Sequence, residues 1–197
     1  MSVIEADSAR LLTALRALLA DKGIATAPEI AERIAVTDAA SPALGAGMVA
    51  RAWTDPAFRA AMLADGRAAA ESMGIAMRGM PPLGVLENTP ELHNLVVCTL
   101  CSCYPRAVLG YPPYWYKSAA YRARAVRDPR GLLAEFGTVL PPGVRVRVVD
   151  STAAYRWMVL PLRPAGTDGW DAARLAALVR EGDMVGVTVV RTPGAVA

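Results

Sequence analysis

A chain of 197 residues with 54% hydrophobic content can bury one substantial core and still carry an appendage, so one domain with an arm is the default reading. Its 21 Lys and Arg and 18 Asp and Glu are interspersed and sum to +3, and no polybasic stretch argues for nucleic acid as a partner. No run approaches the ~18 apolar residues of a membrane span, and Glu5 and Asp7 stand where a signal peptide carries cations, so the expectation is a cytoplasmic protein without a membrane partner.

Leu11, Leu12, Leu15, Leu18 and Leu19 recur at helical spacing between Ser8 and Asp21, with Gly23 placed as a stop. A shorter helix begins after Ala27, with Pro28 suited to the first turn, and runs through Ile30 and Ile34. Amphipathic helices of this kind ordinarily pack on their own domain. Thr37 to Pro42 reads as a polar break. From about Gly45 to Ala64 a longer helix turns Val49, Trp53 and Phe58 inward, with a capped restart at Asp55-Pro56. An Ala-rich segment after Asp65-Gly66 ends at Gly74, and a connection rich in Met, Gly and Pro runs from Met77 to Gly84.

Leu95-Val96-Val97 is apolar on both faces, as a buried strand is. His93 just before it reads as a packed or hydrogen-bonded histidine, since one imidazole without a second ligand is weak evidence for chemistry. All three cysteines, Cys98, Cys101 and Cys103, follow at once and stop short of Pro105. Four readings fit that spacing. A Cys98/Cys101 disulfide leaves an odd thiol, structural zinc needs His93 as a fourth ligand, and three inert core cysteines would behave as small hydrophobes. In the fourth, the loop curls so that the sulfurs face one point, and the backbone amides of Ser102 and Cys103 complete the donor set. One position is then left open, as in catalytic metal sites. Leu100 and the flanking valines suggest that such a claw is buried.

Tyr111-Pro112-Pro113 breaks the chain, and Tyr114-Trp115-Tyr116 opens a helix carrying Arg122, Arg124 and Arg127, a solvated basic face unless anionic groups lie nearby. Asp128-Pro129 restarts a helix that ends near Gly137, and Pro141-Pro142-Gly143 is a turn. Val144, Val146 and Val148 alternate with Arg145 and Arg147, the period of a strand with one wet face. Trp157 to Leu160 and Val185 to Val190 are further strand candidates, and Asp171 to Arg180 reads as a helix with Leu175 and Leu178 inward. The predicted class is α+β: a helical arm over residues 1–42, then a layered helix and sheet catalytic domain over 43–197.

The segment Val97-Cys98-Thr99-Leu100-Cys101-Ser102-Cys103-Tyr104-Pro105 resembles the metal-binding motif of nitrile hydratase α subunits. The likeness continues through Ala52-Trp53-Thr54-Asp55-Pro56, Glu87-Asn88-Thr89-Pro90, Pro112-Pro113-Tyr114-Trp115-Tyr116-Lys117 and Leu160-Pro161-Leu162-Arg163-Pro164-Ala165-Gly166-Thr167, covering roughly residues 45 to 190. It implies hydration of a small-molecule nitrile to an amide at a low-spin trivalent ion, one per chain, held by the sulfurs of Cys98, Cys101 and Cys103 and the amide nitrogens of Ser102 and Cys103. Thr99, where iron enzymes have Ser, points to cobalt(III), with iron(III) as the alternative. In that family the residue matching Cys101 is a sulfinic acid and that matching Cys103 a sulfenic acid, both on the cysteine oxidation ladder. Cys101, Ser102 and Cys103 are then the catalytic residues, with Tyr104 and Arg106 at the substrate pocket. The resemblance further implies β-type partner subunits embraced by the N-terminal arm, and a metallochaperone or activator.

The chain departs from the family at Arg106-Ala107, where close homologues carry Trp-Pro. An Arg there is similar to the thiocyanate hydrolase metal-binding subunit or to three-subunit nitrile hydratases. Tyr111 replaces a usual Leu, and a pocket glutamine would fall at about Gly79 in a chain with no Gln. A non-enzymatic metal-trafficking or redox-sensing protein is the alternative of a different class.

Overall fold

The computed structural model describes residues 3–193, with side chains from Asp7 onward. Two compact units divide the chain, Met1–Ala39 and Ala40–Ala197.

In the first unit α1 spans Val3–Asp21 and α2 spans Ala27–Ala39. Gly23, at φ 63°, turns the chain between them while its N–H bonds Ala20 O at 3.0 Å. Thr26 and Glu29 exchange bonds at the start of α2: Thr26 N donates to Glu29 Oε2 at 2.7 Å, and Glu29 N donates to Thr26 Oγ1 at 3.4 Å. The polar break read at Thr37 to Pro42 is shorter than expected. Thr37 Oγ1 donates back to Arg33 O at 2.8 Å, so its hydroxyl is satisfied within α2 and the helix runs on to Ala39. Nor do the leucines pack away: Leu11, Leu12, Leu15 and Leu18 are 48 to 72% exposed.

The second unit opens with three helices separated by single aspartates: α3 (Pro42–Thr54), α4 (Pro56–Ala64) and α5 (Gly66–Ser72). Asp55 accepts from Phe58 N and Asp65 from Ala68 N, both at 3.0 Å, and each carboxylate satisfies a first-turn donor that would otherwise lack a partner. Helix α3 starts at Pro42 rather than Gly45, because proline at the first position is already set at a helical φ.

Strand β1 (Leu83–Glu87) starts within the last two residues of the connection expected over 77–84 and runs beyond it, and β2 (Leu92–Val97) leads into the cysteines. After α6 (Arg106–Leu109), the helix expected from Tyr114 onward is two, α7 (Tyr114–Lys117) and α8 (Ala119–Arg127). Ser118 between them is extended, and its hydroxyl donates to Trp115 O at 2.8 Å while accepting from Tyr121 N at 3.1 Å. Then come α9 (Pro129–Glu135), β3 (Arg145–Asp150), β4 (Arg156–Leu160), α10 (Ala172–Ala176) and α11 (Glu181–Val185). The helix expected over Asp171 to Arg180 is the shorter α10, with Leu175 fully buried and Leu178 half-buried.

The strands pair in parallel, β1 with β4 from Leu83↔Arg156 and β2 with β3 up to Val97↔Asp150, so this is an α+β fold with two small sheets among helices. Met48, Val49, Met62, Leu95, Val96, Leu109, Leu133, Met158 and Leu160 are at most 1% exposed and form one core between sheets and helices. Each contributes about 1.5 to 3 kcal/mol of apolar burial.

Val185 to Val190 is not a strand. Val185 ends α11, Gly186 takes φ 88°, and the N–H groups of Gly186 and Val187 both return to Gly182 O at 2.9 Å, which curls the segment instead of extending it. Gly186 O in turn accepts from His93 Nε2 at 2.7 Å, and His93 Nδ1 accepts from Asn88 Nδ2 at 3.3 Å. Both ring nitrogens are occupied, so His93 is the packed histidine expected and is unavailable as a fourth zinc ligand. Its burial outweighs the Gly186 bond and pushes its pKa below 6.5. A depressed pKa means that the unfolded chain binds the proton first, so stability present above pH ~6.5 is lost as pH falls from there through the folded pKa. Because His93 is the chain's one histidine, its proton resonances are expected to titrate with a single midpoint below 6.5. A midpoint at or above 6.5 would remove this contribution.

Candidate metal centre

Because β2 and β3 are parallel, their C-terminal ends lie at the same edge, and the cysteine loop leaves β2 beside Asp150, the last residue of β3. That edge pins first the end of β2 and then the loop, residue by residue. Val96 O accepts from Tyr121 OH at 2.6 Å, and Val97 O from Ser151 N at 2.7 Å. Asp150 takes Thr99 with both oxygens, Oδ1 from the backbone N–H at 3.0 Å and Oδ2 from the hydroxyl. Leu100 O accepts from Arg122 Nη1 at 2.9 Å, and Cys103 O from Tyr116 OH at 2.8 Å.

Held this way, the three sulfurs converge. Cys98 Sγ is 3.4 Å and Cys103 Sγ 3.3 Å from Cys101 Sγ, and all three lie within 4.8 Å of one another, a group that could hold a metal ion. These separations are well beyond the ~2.05 Å of a disulfide, and the cysteines are free thiols. The N–H of Cys101 points at Cys98 Sγ at 3.3 Å. Bonds from the Cys103 and Cys98 thiols, then from the Ser102 and Cys103 amides, pull the Cys101 thiol down to about 7. Burial first, and then the two neighbouring sulfurs, push Cys103 up to about 12 against the opposing charge of Arg156.

The claw is not buried as Leu100 suggested. Cys98 and Cys103 are 2% and 8% exposed, but Cys101 is open to solvent and Leu100 is 88% exposed at the loop tip. Apolar character at a loop tip did not decide burial here, because the anchoring bonds run through the loop backbone and leave the Leu100 side chain free.

The two residues expected at a pocket differ in exposure. Tyr104 is 3% exposed and edge-on to Tyr116 at 4.9 Å, its hydroxyl donating to Glu181 Oε1 at 2.5 Å, so its side chain belongs to the core. Arg106 is exposed, its guanidinium stacked 4.4 Å over the Tyr111 ring. The basic face of α8 also divides. Arg122 turns to the loop, Arg124 pairs with Asp128 at 3.2 Å and with Glu135, and Arg127 stays exposed.

Sequence reasoning missed Asp150, Tyr116 and Arg156. Arg156 Nη1 and Arg122 Nε are buried with no hydrogen-bond partner among the described residues, and Arg156 acts electrostatically on Cys103. An arginine opening an otherwise apolar strand, Arg156-Trp157-Met158-Val159-Leu160, was the one local signal available.

Comparison with known proteins gives this arrangement its context. The low-molecular weight cobalt-containing nitrile hydratase subunit alpha of Rhodococcus rhodochrous is 50% identical over 181 residues, 91% of this chain and 87% of the relative. The thiocyanate hydrolase subunit gamma of Thiobacillus thioparus is 41% identical over 192 residues, 92% of this chain and 79% of the relative. Among solved structures, a double histidine-to-alanine mutant of the Fe-type nitrile hydratase from Comamonas testosteroni Ni1 superposes with a TM-score of 0.83 at 42% identity, covering 98% of this chain and 94% of that one. The family model described as nitrile hydratase, alpha chain, matches residues 6–188, which carries the likeness further toward the N-terminus than residue 45. On that match and these identities, the chain belongs to the nitrile hydratase α-chain family.

Proposed function

We propose that this chain is the metal-binding α subunit of a cobalt-type nitrile hydratase, hydrating a nitrile to its amide. The observation that carries the reading is the convergence of three sulfurs within 4.8 Å on a loop pinned through its backbone at Thr99, Leu100 and Cys103. Thiolates with amide nitrogens suit a small, strongly polarising transition ion and no hard cation. The donors would be Cys98, Cys101 and Cys103 Sγ with the Ser102 and Cys103 nitrogens, holding one cobalt(III) per chain. When bound, the ion supplies Lewis acidity toward nitrile and water.

The chain's own residues do the rest. Asp150, Arg122 and Tyr116 hold the loop backbone, and exposed Cys101 leaves the outer face of the claw open to substrate. Five anionic donors around a trivalent ion leave about two negative charges, and the Arg156 guanidinium, whose charge acts on Cys103, offsets part of them. So shallow a site needs another chain to close it over, which supports a hetero-oligomer with β-type subunits. The exposed leucines of α1, in an arm over residues 1–42 ahead of a catalytic domain over 43–197, suit such a partner. A metallochaperone that loads the ion, and a cytoplasmic site of action where thiols stay reduced, complete the reading. Among the described residues no helix is long and apolar enough to cross a membrane.

Thiocyanate hydrolysis is the second reading, favoured by exposed Arg106 and by the relative from Thiobacillus thioparus. Assay of the complex purified with its partner subunits separates the two. Nitrile hydration is expected to hold within about twofold as salt rises and the screening length drops below ~8 Å, and Arg106→Ala is expected to change metal retention more than KM. Efficient thiocyanate hydrolysis, with aliphatic, aromatic and heterocyclic nitriles untouched, would favour the second reading. A trafficking or redox-sensing protein would instead carry labile zinc or no metal, and its mass would show no added oxygen.

A further inference from the structure

Two of the five proposed donors, the amide nitrogen and the sulfur of Cys103, hang on one Cα. Whatever fixes that Cα therefore aims both at once. The peptide that leaves it is held by its carbonyl, which accepts from Tyr116 OH at 2.8 Å in a buried bond. Tyr116 is fully buried, with Tyr104 at 4.9 Å, Tyr121 at 5.5 Å and Trp115 at 5.9 Å around its ring, so the hydroxyl cannot swing away from the loop. Tyr104 continues the same hold one residue on, through its buried ring and its bond to Glu181.

We infer that Tyr116 is a positioning residue of the claw: by gripping Cys103 O, it sets the aim of the two donor atoms that Cys103 contributes. The inference rests on the five-donor claw proposed above. Tyr121 provides an internal comparison. It too is a buried tyrosine of the same aromatic cluster donating to a carbonyl, at 2.6 Å, but its acceptor is Val96 O inside β2, before the first cysteine. A tyrosine that only fills the core has the same consequence at either position. One that aims donor atoms has it at Tyr116 alone.

The test compares Tyr116→Phe and Tyr121→Phe with the unaltered chain in the cobalt-loaded complex with its partner subunits. It reads the thiolate-to-cobalt absorption band, the rate of cobalt loss to a chelator and the thermal midpoint. Both variants keep the ring and lose one buried hydroxyl bond, so both midpoints are expected to fall. Only Tyr116→Phe is expected to shift the band and to release cobalt about 10-fold faster or more, the scale of an outer contact to a metal ligand. An unchanged band and release rate in Tyr116→Phe, beside a lowered midpoint, would reduce the residue to packing. Equal band shifts in both variants would also overturn the inference, because general loosening of the loop would then explain them. If the unaltered complex holds no tightly bound cobalt, the claw reading itself fails and takes the inference with it.

Discussion

Cys98→Ala, Cys101→Ala and Cys103→Ala are each expected to strip nearly all tightly held cobalt from the complex, a loss beyond the 10- to 100-fold that outer contacts to metal ligands cost. The reason lies in how few donors the loop can rearrange. Thr99, Leu100 and Cys103 are each fixed through a backbone group, so a missing sulfur cannot be replaced by shifting a neighbour. Folding should survive the change. Cys101 is exposed, and truncating buried Cys98 or Cys103 removes one small side-chain atom, about 1 kcal/mol on the scale of a buried methylene. Elemental analysis with a thermal midpoint separates the two effects. Full cobalt stoichiometry in any one variant would take that cysteine out of the ligand set.

Gly186→Ala is expected to cost about 3 to 5 kcal/mol, near the upper end for a single substitution. At φ 88° any L side chain is strained, by about 1 to 2 kcal/mol. The larger part is steric. A Cβ there would stand 1.9 Å from Asn94 O, 3.0 Å from Asn94 C and 3.3 Å from Leu95 Cα, all atoms of the β2 backbone, which cannot step aside without breaking its pairing with β3. Moving Gly186 also detaches its carbonyl from His93 Nε2. Gly74→Ala isolates the conformational part, since Gly74 has φ 78° and nothing within 4 Å of its would-be Cβ. Thermal unfolding of both is the measurement: at about 2 to 4 °C per kcal/mol for a chain of this size, Gly186→Ala falls by roughly 10 °C or more and Gly74→Ala by a few degrees. Equal shifts would show that the contact with β2 is relieved cheaply.

Much of the site could be read from the chain because its signals are local. Three cysteines within six residues, an apolar run before them and aspartates followed by helix-compatible turns need no tertiary information, and the loop, the end of β2 and the Asp55 cap sit where those patterns put them, though β2 starts three residues earlier, at Leu92. What escaped is non-local or lacks a period. Strand β1 is buried along most of its length and sits behind Pro81-Pro82, so no alternation marks it. Val185 to Val190 is a short apolar run of the kind that periodicity cannot assign, and Gly186 within it decides for a turn. Asp150 reaches Thr99 across 51 residues, and Tyr121 reaches Val96 across 25. Contacts like these leave no trace in spacing.

The parallel pairing of β2 with β3 also sets a clock. Cys98 leaves the ribosome 52 residues before Asp150, and at synthesis rates of about 5 to 20 residues per second the thiols wait some 3 to 10 seconds for the strand and carboxylate that shape their loop. During that wait Val97 has no Asp150 opposite it and Thr99 no carboxylate, so the claw does not yet exist as a shaped receptor. Filling it therefore follows the making of β3, and the unpaired thiols of nascent molecules are the ones most open to oxidation or to capture by whichever soft ion arrives first.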